Sequence, residues 1–251
     1  MLEASYSIAP ENILLMRTSG VTEKEYLVVE NAVREVVALS QASITVHSLG
    51  NWAMPGFENN PWLVAHNSAD GYAMAAYNTS FEAVIGEKLF KLFIADPYQK
   101  NMPSMKILVT EFDILVEAAP PPEIMAFGAN CSRSSFGGMA IRYLGAVISV
   151  SDYRVIENLD YGKLNNTSMH ETAHLLGVPG KNRRKLDSGE RHCINDCIMQ
   201  AQSETPIRTD TISGKRWVDV AASRRRAPGL CKECLHDLRM NPMLPRKAIC
   251  L

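Results

Sequence analysis

The 251-residue chain is long enough for one large domain or a domain with an extension, and its 46% hydrophobic content can fill a sizeable core. Its net charge of −1 implies no broad electrostatic partner, so nucleic acid is not expected. No stretch approaches the ~18 consecutive apolar residues of a transmembrane helix, and the N-terminus lacks the basic start and apolar run of a secretory signal. No membrane association and a cytoplasmic location are therefore expected, and the six cysteines read as metal ligands rather than disulfides. Nothing in the sequence speaks to oligomeric state.

In chain order, Thr22-Glu23-Lys24-Glu25 has the spacing of a capping box, and Leu27, Val28, Ala32, Val36, Val37 and Leu39 continue a broad apolar helical face to about Ser40. Ser43–Leu49 alternates as a strand. Residues 50–78, rich in Asn, Pro, Gly and aromatics, read as irregular, and His66 within them is left unassigned, a polar loop histidine being more often solvated than ligating. Ser80–Ala95 carries a second helical pattern, ended by Asp96-Pro97. Lys106–Val116 reads as one strand. The prolines at 120, 121 and 122 force a turn, Ile124–Ala129 is a short strand, and Gly137-Gly138 precedes a longer one through Val150. A helix runs from near Asp160 to Leu176, and a short one from about Glu233 to Met240. The fold class expected is α/β (α+β): a mostly parallel twisted sheet with a helix against it, followed by an irregular segment. The expected organisation is an N-terminal helical and strand extension (1–100), an upper subdomain (101–177) and a lower one (178–251).

The chemistry concentrates in Met169-His170-Glu171-Thr172-Ala173-His174-Leu175-Leu176-Gly177. His170 and His174 are four apart, which on a helix puts both imidazoles on one face within reach of one cation. Glu171 stands one step round and can reach a metal-activated water without being a ligand. Met169, Ala173, Leu175 and Leu176 make the helix buried, and Gly177 followed by Pro179 stops it.

Downstream lies His192-Cys193-Ile194-Asn195-Asp196-Cys197-Ile198-Met199. In an extended segment adjacent side chains point to opposite sides, so His192 can join His170 and His174 while Cys193 faces away. Cys193 and Cys197 pair naturally with Cys231 and Cys234 as a closed tetrahedral thiolate site. Two Zn²⁺ ions per chain are expected, one catalytic and one structural. Cys131 and Cys250 are left over.

His-Glu-x-x-His-x-x-Gly, then His-Cys, Cys-Ile-Met and a later Cys-x-x-Cys resemble the archaemetzincins of the metzincin clan of zinc peptidases. The resemblance covers residues 105–234, including 106–115, 124–129 and 146–154 as strands before the active helix. It implies a two-subdomain zincin fold and a Met-turn at Met199 beneath the metal. Where the family reads Gly-x-x-His, residues 178–191 intervene. This insert is polar and basic and reads as a surface loop, with Gly189-Glu190-Arg191-His192 restoring the Gly-x-x-His spacing. Arg183-Arg184-Lys185 within it, and Arg224-Arg225-Arg226, read as solvated surface.

The function expected is peptide-bond hydrolysis by a zinc-activated water, with Glu171 as general base and then acid. A peptide or protein substrate would lie along an edge strand at Ile124-Met125-Ala126-Phe127-Gly128-Ala129. Tyr143, Tyr153 and Tyr161 could help an oxyanion but are explained by packing. Two rivals stay open. A carboxylate such as Glu190 or Glu204 could replace His192 as third ligand. Alternatively, the chain could be a zinc-ribbon interaction or nucleic-acid-binding protein with a vestigial His-Glu-x-x-His site.

Overall fold

A computed structural model describes residues 8–52, 63–64, 83–85, 103–111, 113–118, 132–150, 154, 161–180, 183–187, 192–200, 207–209, 216–218 and 229–246. The strands are β1 (Asn12–Arg17), β2 (Thr45–Asn51), β3 (Leu63–Val64), β4 (Ala83–Ile85), β5 (Ser104–Thr110), β6 (Asp113–Ala118), β7 (Ser132–Phe136), β8 (Gly138–Ile141), β9 (Gly145–Ser149), β10 (Ile207–Thr209) and β11 (Arg216–Val218). The helices are α1 (Glu23–Ser40), α2 (Tyr161–Leu175) and α3 (Lys232–Met240). No helix among the described residues is long and apolar enough to cross a membrane.

The main sheet has the order β2-β1-β5-β9-β8. Its first four strands are parallel, and β8 runs antiparallel to β9 at the edge. Parallel strands are covered on both faces and so are continuously apolar. Ile13 to Met16 in β1, Met105 to Val109 in β5 and Gly145 to Ser149 in β9 are all buried. On one face Ile13, Leu15, Ile107, Val109, Ala146 and Ile148 pack with Val29, Val33 and Val36 of α1 and with Leu164 and Ala173 of α2. The alternate set, Leu14, Met16, Leu108 and Val147, is buried as well. This is the mixed α/β class expected, with α2 held against the sheet beside its antiparallel edge.

Several elements differ from the sequence reading. β1 has no local signature in the sequence, because its four apolar residues in a row carry no period of two or 3.6. The expected strand Lys106–Val116 is two strands. β5 belongs to the main sheet and β6 to a second sheet of order β3-β4-β6-β7. The chain leaves the main sheet at Glu111, whose carboxylate accepts from Thr18 Oγ1 and from Gly20 N. In the expected helix Ser80–Ala95, residues 83–85 form β4, parallel to β6; the rest lies outside the described residues. The single strand expected after Gly138 is a hairpin, β8 and β9, turning at 142–144. Tyr143 adopts φ +59 there without being Gly or Asn. Its N–H donates to Leu175 O at 2.8 Å, so the end of α2 holds the turn.

The start of α1 is fixed by the expected capping box: Thr22 accepts from Glu25 N, and the Glu25 carboxylate accepts from Thr22 N at 2.8 Å. The Glu25 side chain is 2% exposed and also accepts two 2.6 Å bonds from Arg154. Burial works to raise its pKa, but the Arg154 and Thr22 bonds outweigh it and hold the carboxyl below its ordinary value. A carboxyl whose pKa is lowered by folding contributes stability that is full above the unfolded pKa of 4.5 and is lost as pH falls through the folded one. Glu25→Gln keeps the cap but removes the charge. It should cost about 1–3 kcal/mol at neutral pH and flatten the fall in stability below pH 4.5. Urea unfolding across a pH series tests this, and an unchanged pH slope would refute it.

Candidate functional site

The His-Glu-x-x-His segment occupies the last turns of α2, where His170 and Glu171 are each 3% exposed. The helix closes in a Schellman pattern, with Gly177 N to His174 O at 2.9 Å and Val178 N to Ala173 O at 2.9 Å. Gly177 has φ +88, a left-handed conformation that favours glycine. A Cβ there would collide with Tyr143 Oη and lie 2.6 Å from Asn241 Nδ2. The stop expected at Gly177 is therefore both a cap and a close approach. Tyr143 is taken up in it, its hydroxyl accepting from Asn241 Nδ2 at 2.9 Å. Tyr161, at the start of α2, lies under the Lys24 ammonium. Tyr153 lies outside the described residues.

His192 joins the helix pair. The ring centroids of His170, His174 and His192 are 4.5, 5.2 and 5.5 Å apart, and one nitrogen from each lies within 4.8 Å of the others. Nδ1 of His170 pairs with Ile198 O at 2.7 Å, and Nδ1 of His174 with Val178 O at 2.9 Å. With Nδ1 engaged as a donor, Nε2 is the nitrogen each ring would present to a cation. The arrangement of His192 is local. Leu186 and Cys193 form an antiparallel bridge, and Asp187 N donates to His192 O at 2.9 Å. On that extended stretch His192 turns to the imidazoles and its neighbour Cys193 to the other cysteines.

Cys193, Cys197, Cys231 and Cys234 bring their sulfurs within 4.8 Å of one another. The Cys193–Cys231 and Cys197–Cys234 separations are 3.8 and 3.5 Å, far from the ~2.05 Å of a disulfide. Cys231 caps α3 by accepting from Cys234 N, and Cys197 Sγ accepts from Met199 N and Cys231 N at 3.4 and 3.3 Å. A hydrogen bond from Cys234 draws the Cys197 thiol down to about 5. The same bond, together with burial, pushes Cys234 up. Burial also raises Cys193. Packed thiols of this kind oppose one another's ionisation, and a divalent cation supplies the charge that lets all four ionise. The donor set fits a closed tetrahedral zinc site.

Arg183 corrects the reading of the insert as a solvated surface. Its side chain is 7% exposed and its guanidinium donates to Cys234 Sγ and Cys193 Sγ, each at 2.9 Å. It also pairs with Glu233 at 2.9 Å and Asp237 at 3.1 Å. Cys234, Glu233 and Asp237 lie 50 or more residues along the chain, so a basic run could not reveal them. Arg184 and Lys185 are exposed as expected.

Glu171 lies against the sheet edge. A Cβ on Gly138 would meet Glu171 Cγ at 2.5 Å and Oε1 at 3.2 Å, so β8 passes the carboxylate with room for no side chain. Met199 is fully buried in the turn after Cys197, next to Ile198, whose carbonyl holds His170. The expected substrate strand 124–129, Glu190, Glu204, Cys131, Cys250 and residues 224–226 lie outside the described residues. Among the described residues, the edge strand beside Glu171 is β8, the first half of the hairpin where the sequence predicts one longer strand.

No protein-family model matches the sequence, and no curated protein does. Among solved structures the chain resembles the archaemetzincin of Methanopyrus kandleri, at 15% identity over 95% of this chain and 98% of that one, with a TM-score of 0.55. It is also similar to a zinc-dependent peptidase from Methanocorpusculum labreanum, at 17% identity over 90% and 99% of the two chains, with a TM-score of 0.48. The first likeness defines the fold: a mixed α/β chain of archaemetzincin-like architecture.

Gly177→Ala tests the geometry that ends α2. Left-handed strain and overpacking together should cost about 2–4 kcal/mol in urea unfolding. A loss below about 0.5 kcal/mol, the size of an ordinary surface change, would show that the turn is not under this constraint.

Proposed function

We propose that the chain is a zinc-dependent metallopeptidase that hydrolyses peptide bonds. The observation that carries this reading is the convergence of three imidazoles beside a buried carboxylate on α2. His170, His174 and His192 would hold one zinc ion with a position left for water and substrate. Cys193, Cys197, Cys231 and Cys234 would hold a second, structural one. When bound, the first ion supplies Lewis acidity that polarises the scissile carbonyl and acidifies a water molecule.

The protein's own part falls to Glu171. Its carboxylate would take the proton of the attacking water and deliver it to the nitrogen of the departing amine. Burial keeps competing solvent away from that transfer. An extended peptide would align along β8, which pairs with β9 and forms the sheet edge among the described residues. Gly138 leaves that edge thin where the carboxylate must reach the scissile bond. Met199, in the turn that carries Ile198 O to His170, would serve as the Met-turn under the histidines. Residues 101–177 form an upper subdomain and 178–251 a lower one in this reading, with residues 1–100 contributing β1, α1 and β2 and, to the second sheet, β3 and β4.

Glu171→Ala should retain zinc and lower turnover of a peptide substrate by about 10²–10⁴-fold. A variant that keeps its activity would sink the assignment. Zinc content by elemental analysis should be two ions per chain, falling to one in the Cys231→Ser, Cys234→Ser double variant. Gly138→Ala should leave zinc content unchanged but lower kcat by roughly 10–100-fold, through a displaced Glu171. An unchanged kcat would argue against the role given to this contact.

A further inference from the structure

We propose that Asp187 is a positioning residue for the third histidine, and that segment 183–187 is a strap joining the imidazole group to the thiol group. This rests on the metal-site reading above. The three imidazoles are not held alike. His170 and His174 belong to one helix, and their Nδ1 atoms meet main-chain carbonyls that the fold fixes. His192 lies in the described stretch 192–200, which is not helical.

What His192 has is Asp187. Nδ1 of His192 lies 3.0 Å from Asp187 Oδ2. Asp187 Oδ1 accepts from the His192 main-chain N–H at 3.2 Å, and Asp187 N donates to His192 O at 2.9 Å. One residue thus holds the ring and both main-chain groups of the ligand. The Leu186–Cys193 bridge sets this register. A carboxylate on Nδ1 fixes the tautomer that carries its proton there and leaves Nε2 as donor to the cation. It also makes that donor stronger than a carbonyl would.

The strap is anchored at its other end. Arg183 is tied to Cys193 and Cys234 and, on α3, to Glu233 and Asp237. The stretch that interrupts the Gly-x-x-His spacing therefore supplies the group that orients the displaced histidine. It does so from a base built on the thiol site.

The test uses the full chain with zinc loaded, and the variants Asp187→Asn and Asp187→Ala. Zinc is withdrawn by a chromogenic chelator, and cobalt substitution reports each site separately through its absorption bands. The proposal expects the imidazole site to bind zinc 10–100-fold more weakly in both variants. It also expects an altered cobalt spectrum at that site, while the thiol site releases metal at the parental rate. Asp187→Glu should restore part of the affinity. Parental affinity and spectrum in Asp187→Asn would overturn the proposal, and so would equal weakening of both sites, which marks a general structural role. A parent chain that takes up no metal at the imidazole site would instead overturn the metallopeptidase reading itself.

Discussion

The antiparallel bridge between Leu186 and Cys193 is the constraint on which both candidate sites depend. Extended backbone sends neighbouring side chains to opposite faces. One peptide unit therefore delivers His192 to the imidazoles and Cys193 to the thiols. Lose the bridge, and each site lacks a member. The three-histidine group and the four-cysteine group are thus one construction, with the short segment 192–200 as their shared wall.

The rest of the fold brings α2 to that wall. Three parallel strands, β1, β5 and β9, buried on both faces, give a rigid sheet against which Leu164 and Ala173 seat the helix. The antiparallel strand β8 then runs past Glu171 so closely that glycine is required at 138. At the far end of the helix, Gly177 in the left-handed region turns the chain so that Val178 O can meet His174. The 3% exposure of both His170 and Glu171 follows from this packing. It gives the carboxylate a low-dielectric surrounding.

Much of the site was legible because its signals are local. The four-residue spacing of His170 and His174, the glycine stop and the Thr22 capping box each depend on residues within one or two turns. The cysteine pairing was legible because thiol spacing in a chain read as reducing has few other uses. What escaped depends on distant partners. β1 has an apolar run without period, so nothing local separates it from a buried helix turn. The break between β5 and β6 is set by contacts from Thr18 and Gly20 to Glu111. The β8–β9 turn uses a tyrosine in a left-handed conformation held by the end of α2. Arg183 reads locally as one more surface cation, and its burial depends on sulfurs brought in from two separate stretches of chain.

Anomalous diffraction at the zinc edge, from crystals of the zinc-loaded chain, tests the two-sided construction most directly. The account predicts two peaks. One should lie about 2.0–2.1 Å from a nitrogen of each of His170, His174 and His192, and the other about 2.3 Å from the four cysteine sulfurs. A peak bound by His170 and His174 but not by His192, or a single peak at the thiols, would contradict it.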